Sequence, residues 1–491
     1  MGAKEGSVEA GAVTYASPAG RLVLLTAVLG SGMALLDGSA LNVALPTIGR
    51  RLHEDFAGLQ WTVNAYALAL AGLLLLGGSL GDRFGRRRIF TLGIGWFASA
   101  SMLCGLAPNG GLLIAARGLQ GIGGALLLPG SLAIIESTFA KDDRAAAIGA
   151  WSGLGAVAAA VGPVLGGWLT GFSWRYVFFI NAPVAVLAIA VALRAVPESR
   201  DTSVTGRLDL PGPLLAALGL AGLTWSLTEG PIDGWGSVAA LLPGLGGLLA
   251  LVALLGVERV AAQPMLPLTI FSSRQFSAAN LVTFAVYAAL GGGIFLLPIA
   301  LQRAAGYTPL AAGASLVPLT VVMLVFSARS GRLGQRIGPR LPMTLGPLIA
   351  GAGLALFGRI GPGAAYLADV LPAVLVFSIG LVITVAPLTS TVLAAAGPEH
   401  AGIASAINNE VARVGGLLAV AVLPAAAGIS SAARLTPGAF THGYRLAVFA
   451  AGALCALGGL LAFCYIRNEP RPVALPPASG DVTTPSLAEP A

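Results

Sequence analysis

Fourteen long apolar runs constrain the fold of this chain more than any other feature. A helix needs about 20 mostly apolar residues to cross a bilayer, and the runs are close to that length. Unpaired backbone groups are costly in hydrocarbon, so we expect each run to cross as a helix. We predict fourteen transmembrane helices, at residues 22–45, 60–81, 89–107, 110–134, 145–170, 176–194, 210–228, 237–257, 278–301, 311–328, 341–360, 369–394, 405–427 and 444–466.

The charge balance bears on partners and on orientation in the membrane. The chain is 56% hydrophobic and only 10% charged, which is typical of a membrane protein of many helices. Its net charge of +7 would suggest nucleic acid in a soluble protein. Here the basic residues lie mainly on one side of the predicted helices, so we interpret them as topology signals and predict no nucleic-acid partner. Both termini are therefore expected on the cytoplasmic side of a bacterial inner membrane.

A block of charge from Gly78 to Arg88 ends one apolar run and precedes the next. Four arginines so close to two spans predict a short cytoplasmic loop. A related pattern returns from Gly331 to Arg340, so two related halves are expected, as in transporters built from parallel repeats. About 240 residues separate the two patterns, which fits eight intervening helices of about 30 residues better than six of about 40.

These boundaries divide the chain into five parts. An N-terminal cytoplasmic tail is predicted first, without a cleaved signal peptide, and a C-terminal tail too poor in apolar residues to fold is predicted last. Two six-helix bundles are predicted between them, joined by a linker that contains two extra helices. The predicted limits are 1–20 for the first tail, 21–196 and 261–466 for the bundles, 197–260 for the linker and 467–491 for the last tail.

Two ionisable residues lie deep inside apolar runs, where a charge costs at least about 2.5 kcal/mol. They are Asp37 in the first run and Arg117 in the fourth. At a rise of about 1.5 Å per residue, both fall in the outer half of the membrane at similar depth, so they can pair. A carboxylate that alternates between a paired anion and a protonated acid couples transport to protons. A static buried ion pair is the alternative.

The thirteenth run carries a second polar set. Glu410 and Arg413 are three residues apart, share a helix face and can simply neutralise each other. Alternatively, Glu410 faces a cavity, where it would carry a second proton or meet a cationic substrate. Our candidate cavity residues are Asn42, Gln120, Asn408 and Arg413.

The fifth run combines small residues on successive turns with a proline. Small residues let helices approach closely, and a proline bends a helix. Ordinary packing is the alternative, since glycines are common in membrane helices. The residues concerned are Gly153, Gly155, Gly162, Pro163, Gly166 and Gly167.

Catalytic motifs are absent or accidental in this sequence. Neither lysine follows a glycine, so the phosphate-binding Gly-Lys pair of an ATPase is missing. The three histidines are too scattered for a helical zinc motif, and we expect no metal and no cofactor. The stretch from Gly77 to Gly81 matches a hydrolase elbow, but it ends an apolar helix and has no plausible histidine partner. We therefore expect no enzyme.

Together these motifs resemble those of the major facilitator superfamily, specifically its fourteen-helix drug:proton antiporter branch, over nearly the whole chain. Leu36 to Pro46 resembles the first-helix motif of that branch, and Leu113 to Ala125 the helix-four motif with its buried arginine. The fifth-run glycines are similar to the antiporter motif. Trp174-Arg175 followed by Asn181-Ala182-Pro183 also fits this branch.

The resemblance also implies a gate. Gly78 to Arg88 resembles the superfamily's loop between helices two and three, in which the acidic residue and the arginines latch the cytoplasmic gate. The implied gating residues are Gly78, Asp82, Arg83, Gly85, Arg86 and Arg87. The second copy of the pattern has Gln335 where the first has Asp82, so its latch cannot be a carboxylate salt bridge.

The fold implied by the resemblance is an all-α membrane protein with the major facilitator fold, two six-helix bundles and two extra central helices. The implied function is proton-coupled export of small amphipathic or cationic compounds by alternating access. Its partners would be the substrate, protons and membrane lipid, and a monomer would suffice. One alternative is a dedicated exporter of one native metabolite or antibiotic. Another is a receptor or scaffold on a transporter fold, which would not need Asp37.

Overall fold

The computed structural model describes residues 13–201, 211–261, 266–397, 400–429 and 436–468. These residues form fourteen long helices, and thirteen of them are long and apolar enough to cross a membrane. The other, α7, has 23 residues. The helices are α1 Pro18–Leu52, α2 Phe56–Phe84, α3 Arg86–Leu106, α4 Gly110–Thr138, α5 Lys141–Phe172, α6 Tyr176–Ala195, α7 Pro211–Asp233, α8 Val238–Val260, α9 Arg274–Arg303, α10 Pro309–Ile337, α11 Arg340–Arg359, α12 Tyr366–Ala396, α13 Ala401–Ala426 and α14 Pro437–Tyr465.

The predicted all-helical membrane fold is thus confirmed, and local sequence explains where many helices begin. A capping side chain accepts a hydrogen bond from a backbone N–H of the first turn, which satisfies one of the donors that a helix start leaves unpaired. The capping residues are Ser17, Asp55, Asn109, Ser237, Ser273, Thr308 and Thr436.

The charged stretches predicted as loops are almost entirely helical, so that prediction was wrong in extent. α2 continues to Phe84 and α3 begins at Arg86, which leaves Gly85 alone between them with φ +110°. Glycine tolerates this left-handed backbone because it has no Cβ. In the second copy, Gly338 has φ +85° and directly follows α10. The charged residues therefore lie in the terminal turns of these helices, beyond their apolar segments.

Helix packing relates the two predicted bundles and the extra pair. In the first, α1 packs on α5 and α6, while α4 packs on α2 and α3. In the second, α9 packs on α13 and α14, while α12 packs on α10 and α11. α7 packs on α8 and also contacts α2 and α13. One extra helix therefore bridges the line where the two bundles meet.

The extra pair is attached to the first bundle by a carboxylate of α7. Glu229 lies within α7, where its Oε1 accepts a hydrogen bond of 2.8 Å from Trp61 Nε1 on α2. The rings of Trp61 and Trp225 are 5.3 Å apart. Glu229 therefore links α7 to α2.

The two bundles contact each other at the end opposite the start of α1, which is the predicted outer end. Gln60 Nε2 on α2 donates to the Val420 carbonyl on α13 at 2.6 Å. Gln302 Nε2 on α9 donates to the Val43 carbonyl on α1 at 2.8 Å. These buried bonds close the outer end of the space between the bundles.

The predicted tails lie mostly outside the described residues, as do residues 202–210 of the predicted linker. Residues 13–20 and 467–468 are the described parts of the tails. Val13 bridges to the turn after α4, since its N–H donates to the Thr138 carbonyl at 2.9 Å. Tyr15 N–H donates to Asp143 Oδ2 at 2.8 Å. This part of the first tail is thus attached to the predicted inner end.

Candidate functional site

A buried charge pair joins α1 and α4. The side chains of Asp37 and Arg117 are 0% and 1% exposed, and Arg117 Nη1 lies 2.6 Å from Asp37 Oδ2. Asp37 Oδ1 accepts two further hydrogen bonds of 2.9 Å, from Gln120 Nε2 and from Asn181 Nδ2. Both carboxylate oxygens are therefore bonded, as a buried ion needs if its desolvation is to be offset.

Arg117 is held by α2 as well as by Asp37. Its Nε donates to the Thr62 carbonyl at 3.1 Å, and its Nη1 donates to Gln120 Oε1 at 2.6 Å. Its guanidinium carbon lies 4.4 Å from the centroid of the Tyr66 ring, which places the cation on the negative face of the ring. The arginine thus connects α4 to α1 and α2.

Asn181 is a site residue that sequence reasoning missed. In the sequence analysis Asn181 contributed only to the family resemblance. Its position as a polar residue inside an apolar run could have indicated a site residue. Its Nδ2 also donates to Ser101 Oγ at 2.9 Å, and the Ser101 hydroxyl donates to the Phe178 carbonyl at 2.9 Å. This chain of bonds fixes the second oxygen of Asp37 against α3 and α6.

Two cavities lie between the bundles. The larger, of about 790 Å³, is bounded by α1, α5, α9 and α10 and is lined mainly by apolar residues, with Asn42, Gly153 and Pro163 among them. The smaller, of about 280 Å³, is lined by Asn42, Asn64 and Arg413, together with two tyrosines and several apolar residues. Asn42 belongs to both walls, so the two chambers are neighbours.

The glycines of α5 have two different surroundings. A Cβ on Gly166 would lie 2.6 Å from the Ala40 carbonyl oxygen of α1, and one on Gly167 would lie 2.5 Å from the Pro309 carbonyl oxygen of α10. A Cβ on Gly162 would lie closer still to Ser39 Oγ of α1. Here α5 touches both bundles backbone to backbone, as small residues allow. Gly153 instead has open space, since a Cβ there would meet nothing within 4 Å.

Two predicted cavity residues lie elsewhere. Gln120 belongs to the buried charge pair and is 0% exposed. Asn408 Nδ2 donates to Thr283 Oγ1 at 2.6 Å and to Asn280 Oδ1 at 3.2 Å, so it links α13 to α9. Neither residue is among those that line the two cavities.

Glu410 and Arg413 share α13 but are not bonded to each other in the described structure. Glu410 Oε2 and Arg413 Nε are both buried and have no hydrogen-bond partner among the described residues. The two side chains thus form no direct salt bridge among the described residues, although their charges still act on each other. Arg413 lines the smaller cavity, whereas Glu410 lies one turn earlier and is outside its lining.

The charged block at the inner ends of α2 and α3 is fastened within its own bundle. Asp82 Oδ1 and Arg86 Nη2 form a salt bridge of 2.8 Å. Arg87 N–H donates to Glu198 Oε1 at 3.0 Å, and Arg87 Nη1 donates to the Val196 carbonyl at 3.1 Å. These residues therefore attach the segment after α6 to the start of α3.

The remaining implied gating residues lie beside these contacts. The Arg83 guanidinium carbon is 5.9 Å from the Phe84 ring centroid. A Cβ on Gly78 would lie 3.6 Å from Pro129 of α4. In the second bundle, Arg340 N–H donates to Asn468 Oδ1 at 3.1 Å, which repeats the Glu198 arrangement with an amide.

This architecture, with a charge pair beside chambers between two bundles, is that of a transporter rather than an enzyme. The chain belongs to the Major Facilitator Superfamily, since that family's model matches residues 27–420.

Several relatives carry names that state what they do. The chain is 37% identical to the puromycin resistance protein of Streptomyces alboniger, over 92% of this chain and 91% of that protein. It is 36% identical to a methylenomycin A resistance protein of Bacillus subtilis, over 83% and 87% of the two chains. It is 34% identical to the tetracenomycin C resistance and export protein of Streptomyces glaucescens, over 82% and 74%.

Solved structures agree on the fold. A crystal structure of a peptide transporter of the POT type in complex with sulfate matches with a TM-score of 0.66 at 15% identity, over 92% of this chain and 96% of that one. A bacterial homologue of the human lysosomal transporter Spinster matches with a TM-score of 0.63 at 18% identity, over 92% and 97%. At such low identity the likeness concerns architecture alone.

Proposed function

We propose that this protein is a proton-coupled exporter of small amphipathic compounds such as drugs or antibiotics. The buried Asp37–Arg117 pair carries the proposal, because a charge pair at membrane depth is expensive and marks an ion or proton pathway by default. The names of the relatives support export and resistance. Because the relatives are named for resistance and export, the receptor or scaffold alternative is set aside.

The proposed cycle uses the two bundles as moving bodies. The bundles at 21–196 and 261–466 rock about the cavities, and the helices at 197–260 follow them as a linker. The closed outer end, with bonds such as Gln60 to Val420, corresponds to the state open towards the cytoplasm, where both termini lie. By the family resemblance, the Asp82–Arg86 block is the latch of the opposite, inward-closed state, and in the inward-open state its contacts lie within the first bundle.

Proton coupling resides in the exchange of partners at Asp37. In the outward-open state a proton from outside neutralises Asp37. The neutral carboxyl group then no longer holds the Arg117 cation by charge. The freed arginine shifts against Tyr66, which also lines the smaller cavity. Return of the proton to the inside restores the pair seen here at 2.6 Å. Glu410 is the candidate for a second proton.

A dedicated exporter of one native metabolite or antibiotic is the second candidate. The names of several relatives each refer to a single compound, which favours this candidate. A panel separates the two, since a dedicated exporter moves one compound and a multidrug exporter moves many. The panel would include puromycin, methylenomycin A and tetracenomycin C.

The test uses protein reconstituted as a monomer in liposomes. A proton gradient is imposed, and movement of the compounds of the antibiotic panel is followed in the opposite direction. We expect transport by the wild type to collapse with the gradient and to be lost in Asp37→Asn. Asp369→Asn is the matched control, because it removes a carboxylate that pairs with Arg359 at 3.3 Å in a partly exposed position.

Three results would contradict the proposal. Transport that ignores the gradient would exclude coupling, and full activity in Asp37→Asn would move the proton site to another residue. Failure of the wild type to move any compound of the panel would contradict multidrug export and favour a dedicated exporter of another compound.

A further inference from the structure

The smaller cavity contains polar atoms that the protein itself leaves unbonded. Asn64 is 0% exposed, and neither its Oδ1 nor its Nδ2 has a hydrogen-bond partner among the described residues. Arg413 Nε and Asn42 Oδ1 also lack partners there. Each unpaired buried polar group costs about 1–3 kcal/mol of stability. Several such groups in the wall of one cavity indicate that they form hydrogen bonds to a ligand inside it.

Arg413 gives this cavity a positive character. It is the lining residue with a permanent charge, among asparagines, tyrosines and apolar side chains. Asp37 is bonded to Arg117, and Glu410 lies outside the lining and forms no salt bridge with Arg413 among the described residues. A guanidinium presents donors in a planar fork that matches a carboxylate, and it has no acceptor to offer a cation.

The neighbouring chamber suits the rest of an amphipathic molecule. The larger cavity has a volume of about 790 Å³ and a mainly apolar lining. Asn42 and Ile294 line both chambers, so one ligand can extend from one to the other. An apolar body would fill the larger chamber while a polar end enters the smaller one.

The same stretch of α2 also touches the proton site. Tyr66 lines the smaller cavity while its ring lies 4.4 Å from the guanidinium carbon of Arg117. Thr62, whose carbonyl bonds Arg117 Nε at 3.1 Å, is two residues before Asn64. A group bound at Asn64 therefore acts on the helix segment that holds the proton-linked arginine.

We propose that the smaller cavity is the subsite for the polar end of the substrate, and that this end is a hydrogen-bond acceptor such as a carboxylate, enolate or carbonyl. Arg413 and Asn64 bind it, and Asn42 contributes from the border with the larger chamber. Preferred substrates are thus neutral or anionic amphipathic compounds rather than lipophilic cations. That the bound compound is a transported substrate rests on the proposed export function, whereas the binding preference of the cavity does not.

Equilibrium binding of three anthracene probes to purified protein in detergent tests this assignment. 9-Anthracenecarboxylate, 9-anthracenecarboxamide and 9-(aminomethyl)anthracene share one apolar body and differ in the polar end. We expect the wild type to bind the carboxylate and the carboxamide at least about tenfold more tightly than the ammonium probe. Arg413→Gln should weaken carboxylate binding by about ten- to a hundredfold, as for a charge-assisted hydrogen bond.

A charge introduced at the other wall residue gives an independent test. Asn64→Asp keeps the shape of the side chain and should reverse the preference towards the ammonium probe. Arg413→Lys, which keeps the charge but loses the fork, should retain part of the carboxylate preference. Thermal unfolding and binding of the ammonium probe by Arg413→Gln report whether that variant keeps its fold.

The assignment is overturned if the wild type binds the three probes equally, prefers the ammonium probe or binds none of them. It is also overturned if a folded Arg413→Gln keeps the carboxylate preference. Because binding is measured without a proton gradient, a failure of gradient-driven transport would refute the export cycle and leave this result intact.

Discussion

Neutralising Asp37 should destabilise the protein because it leaves Arg117 charged and buried. In Asp37→Asn the amide carbonyl can still accept from Gln120 and Asn181, but its NH₂ then faces Arg117 Nη1, which is 2.6 Å from Oδ2 in the wild type. Two donors then face each other at a site that is at most 1% exposed. Breaking one side of a buried ion pair costs about 3–5 kcal/mol, and we expect a loss of this size.

Removing both charges should cost less than the two single changes together. In Asp37→Asn/Arg117→Gln no uncompensated ion remains, and the two amides can bond to each other and to Gln120. We therefore expect the double variant to be more stable than Asp37→Asn, with a coupling energy of about 2–4 kcal/mol in the double-mutant cycle.

Reversible unfolding in mixed micelles measures the four free energies of this cycle. Substrate counterflow in liposomes, which needs no proton gradient, then separates the two interpretations of the pair. A coupling device predicts that folded Asp37→Asn keeps counterflow and loses gradient-driven transport. If the pair is static, counterflow and gradient-driven transport should fall together in Asp37→Asn, in line with its loss of stability. Additive free energies would refute the reasoning, since they would mean that the two charges do not stabilise each other.

Two further predictions concern packing and pH. Gly166→Ala should lower stability by about 1–3 kcal/mol and slow transport, because its Cβ would lie 2.6 Å from a carbonyl oxygen of α1. Gly171→Ala is the control on the same helix and should have little effect in the same assays, because a Cβ there would meet nothing within 4 Å and the residue lines neither cavity. Burial and the adjacent Asp55 raise the pKa of the Glu54 carboxyl above its ordinary 4.5, although the Gly110 N–H opposes this. The folded state therefore binds that proton more tightly, so the free energy of unfolding should fall as pH rises from 4.5 through the raised pKa. Glu54→Gln should remove this pH dependence of the free energy of unfolding. An unchanged pH dependence would assign it to another titrating group.

The local chemistry of the chain determined its fold class. Runs of about 20 apolar residues can only cross a bilayer as helices, and the repeated charge block indicated two halves. The Asp37–Arg117 pair was also predictable, since two isolated charges at similar depth have few other partners. Helix ends were less predictable, because α2 and α3 extend past the apolar layer through charges that prefer water but do not break a helix.

Tertiary structure alone decided which polar residues meet. Asn181 reaches Asp37 across a separation of 144 residues, and Gln60 reaches the Val420 carbonyl across 360. Asn408 binds α9, while Arg413, little more than one turn later, lines a cavity. Sequence sets the polarity of each helix, but rotation and crossing of the packed helices set the direction of each side chain. Hydropathy carries no information on that rotation, so the composition of the cavity wall became visible only in the assembled bundle.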